Sequence, residues 1–171
     1  MHLPLHGQID FGMTAEKRHT AVMAAVRSAG AAQSNEDPGV VDENVKQAVA
    51  IIAALDEAGT PNLSLKDHNG LAPLHVAVHN GQFEIVRELV QRGSRVNARA
   101  ALPLPAADGG DLNVDSDAES NLPREERKER KMARDLVKRG VTPLQLAIEK
   151  RRHRVVDYLL FQVRALHILN T

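Results

Sequence analysis

Two stretches of this chain repeat one apolar pattern at one spacing, and that repetition limits the fold more than any other feature of the sequence. Pro73, Leu74, Ala77, Val78, Ile85, Val86, Leu89 and Val90 correspond in order and spacing to Pro143, Leu144, Ala147, Ile148, Val155, Val156, Leu159 and Leu160. Intervals of three and four put each set on one face of a pair of helices. The earlier stretch, residues 67–99, also carries its own punctuation. Asn69-Gly70 supplies turn chemistry, Pro73 suits a first helical turn, and Gly81 and Gly93 close two short helices. Each predicted helix is shorter than the roughly 12–15 residues at which an isolated helix becomes even marginal in water. Such helices are stable only when stacked on neighbours.

A fainter copy comes earlier. Val22, Ala25 and Val26 occupy first-helix positions, and Ile51, Ile52, Leu55 and Gly59 occupy second-helix positions, with 18 extra residues between the helices. Part of that surplus, residues 30–42, is rich in turn formers and reads as a surface loop.

Gly70-x-Ala-Pro-Leu-His-x-Ala77 and Gly140-x-Thr-Pro-Leu-Gln-x-Ala147 resemble the ankyrin motif Gly-x-Thr-Pro-Leu-His-x-Ala, and Gly81, Ile85-Val86, Gly93 and Asn97 fall at ankyrin spacing. The resemblance implies an all-α ankyrin-repeat solenoid of about three helix-turn-helix repeats in a single domain spanning 1–171. Its parts are a degenerate repeat at 14–65, a full repeat at 67–99, an insertion at 100–139 and a last repeat at 140–171. Ala72 replaces the motif threonine and Gln145 the motif histidine. Neither repeat keeps the hydroxyl and imidazole together, so looser turns are expected. Val163 stands where a closing glycine belongs, so the last helix is expected to run on to Leu169 and to leave an apolar end, unlike the polar outer face of most terminal repeats.

The insertion separates Pro73 and Pro143 by 70 positions instead of 33, and it falls where the resemblance places a finger hairpin. Its first half is acidic and poor in large apolar residues, which favours a loop. From Pro123 onward, Glu residues are interleaved with Arg and Lys as on a solvated helix, with Met132, Leu136 and Val137 available to pack one face.

Composition narrows the function. Lys plus Arg equals Asp plus Glu at 22 each, so no global field draws in nucleic acid or an anionic membrane. Aromatics are 2%, Trp and Cys are absent, and no apolar run approaches the ~18 residues of a membrane span. The lack of cysteine removes disulfides and thiolate chemistry and suits a cytoplasmic or nuclear setting. His75 and His79 stand one helical turn apart, as a metal pair does, but have no third ligand nearby in the sequence. Asp111, Asn113, Asp115, Asp117 and Glu119 alternate like a calcium loop, yet the sixth-position glycine and twelfth-position glutamate are missing. Ser116-Asp-Ala-Glu119 is a weak acidophilic phosphorylation pattern. No phosphate-binding loop, nucleophile elbow or His/carboxylate cluster is present in the sequence.

The expected function is therefore non-catalytic binding of another protein, without cofactor, metal, small-molecule substrate or membrane. In ankyrin-like proteins partners meet the finger turns and the exposed side of the first helices. That resemblance points to His68, Asn69, Leu71, His79 and Asn80 in the middle repeat, Val141, Glu149 and Lys150 in the last, and Arg27 in the first. One alternative is a structural subunit docked through the apolar last helix and the insertion. Another is nucleic-acid binding through Arg124 to Arg139 and the nearby Lys150-Arg-Arg-His-Arg154, which interleaved Glu and missing aromatics disfavour.

Overall fold

The structure, a computed structural model, describes residues 15–30, 43–57, 63–101 and 123–169. Among them are seven helices and no strand: α1 (Ala15–Ser28), α2 (Glu43–Glu57), α3 (Pro73–Asn80), α4 (Phe83–Gln91), α5 (Arg124–Arg139), α6 (Pro143–Glu149) and α7 (His153–Leu169). Residues 31–42, Gly59, the acidic half of the insertion, the calcium-like stretch and Ser116 lie outside the described residues.

The helices pair as α1 with α2, α3 with α4, and α6 with α7. The pairs stack in two rows. α1, α3 and α6 form an inner row, while α2, α4 and α7 form an outer one. The core between them is aliphatic, with Val22, Val26, Ile52, Leu74, Val78, Ile85, Leu89, Leu146 and Leu159 wholly or almost wholly buried. Side-chain bonds tie the first pair to the second. Buried Gln82 donates to the carbonyl oxygens of Val26 and Gly30, and Arg92 pairs with Asp56 of α2 and Glu88 of α4.

Position in the stack decides burial where residue type does not. Ile85 and Val86 of the middle pair, which has a described pair on each side, are both buried. At the first pair the matching residues are Ile51, 45% exposed because no described pair precedes it, and Ile52, which is buried. At the last pair Val155 is buried, whereas Ile148, Leu160 and Phe161 are exposed. α7 runs to Leu169, and among the described residues the last pair leaves these apolar side chains exposed.

The expectation of looser turns fails at the third pair. The Gln145 side-chain oxygen accepts from the backbone N–H of Thr142 at 2.9 Å, while the Thr142 hydroxyl accepts from the N–H of Gln145 at 3.3 Å. Gln145 thereby completes a capping box at the start of α6 from the position of the motif histidine.

The turn between α6 and α7 carries strain. Gly81 closes α3 at φ +73°, and the matching residue of the last pair is Arg151, held at φ +54°. Left-handed backbone costs an L-residue about 1–2 kcal/mol, of which glycine's extra unfolded-state entropy takes back part. Arg151→Gly should therefore raise stability by about 0.5–1 kcal/mol, measured by urea denaturation. A loss of stability would show that the arginine side chain contributes more than its backbone costs.

Candidate functional site

The third finger is where the chain is interrupted, and its hydrogen bonds show how. In the middle finger the N–H of Asp67 donates to the Leu71 carbonyl at 2.9 Å, and the Asp67 carboxylate accepts from the N–H groups of Asn69 and Leu71. One 33-residue period after Asp67 stands Ala100, whose N–H donates to the carbonyl of Val141 at 2.9 Å, the counterpart of Leu71. The closing bond is preserved although 37 extra residues, 70 minus 33, now lie inside the loop it closes. The N–H of Ala101 also donates to Gly70 at 3.1 Å, joining adjacent fingers. α5 is thus an outgrowth of the finger, ending on Gly140 with Val141 N–H bonded to Leu136.

His75 fastens this junction from below. Its Nε2 lies 3.2 Å from the Val141 carbonyl, 66 positions away in sequence. A carbonyl only accepts, so Nε2 carries the proton.

From that anchor α5 runs over the inner row. Ala133 and Leu136 are buried, and Met132 and Val137 pack against the core. Farther toward its start, Arg27 of α1 holds Glu129 through Nε and Asp67 through Nη2, both at 2.6 Å. One guanidinium thus ties α1, the middle finger and α5 together. Between α5 and the inner helices lies an open groove of about 810 Å³, lined by Arg27, His68, Asn69, Val76, His79 and Asn80 on one side and by Glu126, Lys128, Glu129, Arg130 and Met132 on the other.

The motif spacing, the two short stacked helices and the bonded finger coincide with a known unit, for residues 69–101 match the family model of the ankyrin repeat. This segment is similar to an ankyrin repeat. No curated protein matches the chain. The matched repeat ends at Ala101, the residue bonded back to Gly70 just before the insertion departs. No helix among the described residues is long and apolar enough to cross a membrane.

The sequence-derived site residues separate into three groups around this ankyrin-like segment. Arg27, His68, Asn69, His79 and Asn80 converge on the groove. Glu149 and Lys150 lie outside its lining, and Glu149 is held by Arg139 at 2.6 Å. Leu71 and Val141, placed at the finger surface by the resemblance, are instead 0% and 3% exposed. Their apolar side chains join the core beneath the fingers, so a partner cannot touch them. Arg27 is also less free than its position suggests, since both arms of its fork are engaged.

Sequence reasoning missed Asp67 and Glu129, the two anions around Arg27. Asp67 had a usable signal, a carboxylate two residues before a turn Asn-Gly. Glu129 had none, because its neighbours on α5 are equally charged.

Burial is the main force on the two imidazoles. It pushes the pKa of His75 below 6.5, against the carbonyls of Val141, Ala98 and Ala72, and Lys66 adds to the lowering. His79 is lowered first by burial and then by nearby Lys150 and Arg152, against Asn80 and Glu129. Both groups resist protonation in the folded chain more than in the unfolded one. Their contribution is complete above pH 6.5 and declines as pH falls below it. For His75 the decline is at most about 1.4 kcal/mol per pH unit. His75→Gln, which installs the residue used at the matching position 145, should flatten the fall in stability between pH 6.5 and 5.5. An unchanged slope would assign the titration to another group.

Proposed function

We propose that this chain is a non-catalytic protein-binding module whose partner enters the groove between α5 and the inner helices. An ankyrin repeat implies a protein-interaction role, and the observation that carries the finer reading is the convergence of five expected contact residues on one open groove. Its lining mixes amide, imidazole, carboxylate and guanidinium groups with the apolar Val76 and Met132, as protein interfaces do. α5 forms one wall, so the insertion shapes the site and does not merely interrupt the repeats. No cofactor, metal or small-molecule substrate belongs to this reading, and the setting is cytoplasmic or nuclear.

His79 and Asn80 are half-buried, and their side chains bond to each other. His79→Ala combined with Asn80→Ala should reduce partner recovery in pull-downs at least tenfold while leaving the unfolding midpoint within a few degrees. Undiminished recovery would remove the groove from the site. A second reading, a subunit of a larger assembly, is favoured by the exposed end face of Ile148, Leu160 and Phe161. Aggregation of the isolated chain that is relieved by Phe161→Gln would support it.

A further inference from the structure

The charges of α5 are sorted by face. At about 100° per residue, Arg124, Arg127, Lys131, Arg134 and Lys138 fall within an arc of about 80° that contains no acid. All five are exposed. The described acids of the helix are spent elsewhere, Glu126 on Arg130, Glu129 on Arg27 and Asp135 on Arg139. Arg124, Arg127, Lys131 and Lys138 have no carboxylate partner among the described residues. Like charges three and four positions apart destabilise a helix, and Arg124 stands in the first turn, where the helix dipole disfavours a cation. Stability alone does not select such an arrangement.

Cations also stand near the end of α3, outside the groove lining. Lys150 and Arg152 are near enough to His79 to act on its charge, and Arg152 packs over Gly81. Nε of Arg152, and Nε of Arg130 in the groove wall, have no acceptor among the described residues. Arg130 in the groove wall and Lys150 and Arg152 outside its lining thus all stand near His79 at the end of α3.

We propose that the partner segment taken by this surface is acidic, an Asp/Glu-rich stretch of a protein that lies along the outer face of α5 and reaches over its edge into the groove. The inference rests on the protein-binding reading and adds the chemistry of the partner. Charge complementarity selects the acidic class, since four cations without counter-charges among the described residues offer steering and specificity to carboxylates. A protein segment is favoured over nucleic acid because the stripe has no aromatic side chain on which bases stack. In addition, the chain as a whole carries no net positive charge.

The test is selection from a random twelve-residue peptide library on the full chain, alongside two variants. One reverses the stripe, Arg127→Glu with Lys131→Glu and Lys138→Glu. The other is the groove variant, His79→Ala with Asn80→Ala. Helix content and unfolding midpoint are checked for each. The wild-type chain should enrich peptides of net negative charge, and synthetic copies should bind the stripe variant at least tenfold more weakly, with affinity falling as salt rises. Enriched peptides that lack acids yet depend on His79 and Asn80 would overturn the acidic assignment and leave the groove reading intact. Acidic peptides that depend on the stripe but not on His79 and Asn80 would uphold the charge assignment and sink the groove reading. Mixed-sequence duplex DNA that binds more tightly than the best peptide, and loses binding in the stripe variant, would assign the surface to nucleic acid and overturn the proposal. So would acidic enrichment seen only after Asp111, Asp115, Asp117 and Glu119 are changed to amides, which would make the chain's own acidic stretch the occupant.

Discussion

Leu74→Ala should lower the unfolding free energy by about 2–5 kcal/mol, the range for deleting a fully buried leucine without collapse of the site. Leu74 is 0% exposed in α3, the inner helix that packs on α1 and on α6. The lost methyl groups leave a void among helices that depend on their neighbours for stability. All pairs should feel the change together, as one cooperative transition with a lower midpoint. The control is Leu144→Ala, the same register position in the last pair, where α6 packs on α3 and α7 but no further described pair follows, and the side chain is half-buried. Its cost should be roughly half or less of that at Leu74. Urea denaturation of both variants decides the matter. A change below about 0.5 kcal/mol at Leu74 would remove it from the inter-pair core.

Gly70→Ala should cost about 2–4 kcal/mol, because backbone strain and overpacking act together there. Gly70 has φ +78°, and a methyl group on it would stand 2.7 Å from the carbonyl oxygen of Ala101 and 2.8 Å from Cγ2 of Val137. The first of these is backbone and cannot swing aside. The second belongs to the last turn of α5, so the insertion would be displaced with it. Gly93 isolates the strain from the crowding, since it has φ +88° but nothing within 4 Å of the place a methyl group would take. Gly93→Ala should cost only about 1 kcal/mol. Equal costs at the two glycines, read from thermal or urea unfolding, would mean that α5 does not press on the middle finger.

The helix pairs were readable in the sequence because their limits are chemical. Pro73 and Pro143 fit only a first turn, Gly81 and Gly93 accept positive φ, and Leu74 with Ala77 and Val78 marks a face. The apolar end at α7 followed from the missing closing glycine, but the burial of individual residues at the two ends did not. Ile51 and Ile148 are as apolar as Ile52 and Val78, and they are exposed because no described pair covers them. The site was legible in the same uneven way. His68, Asn69, His79 and Asn80 followed from the register of a familiar repeat and do line the groove. Leu71 and Val141 followed from the same register and are buried, because register fixes the position of a backbone and not the direction of a side chain. The wall formed by α5 rests on contacts between Ala100 and Val141 and between Arg27 and Glu129. Those pairs are far apart in the chain and follow no period, so no pattern announced them. Arg151 hid its left-handed turn because an arginine occupies the position that glycine marks in the middle repeat.

The claim that the groove is the binding surface is tested most directly by photocrosslinking. A benzophenone side chain placed at Asn80, in the groove, is compared with one placed at Phe161, on the exposed end face, and both full-length chains are irradiated in cell extract. A discrete adduct at position 80 that disappears in the His79→Ala background, with none at position 161, is the expected result. An adduct formed only from position 161 would contradict the account and make the apolar end of the stack the interface.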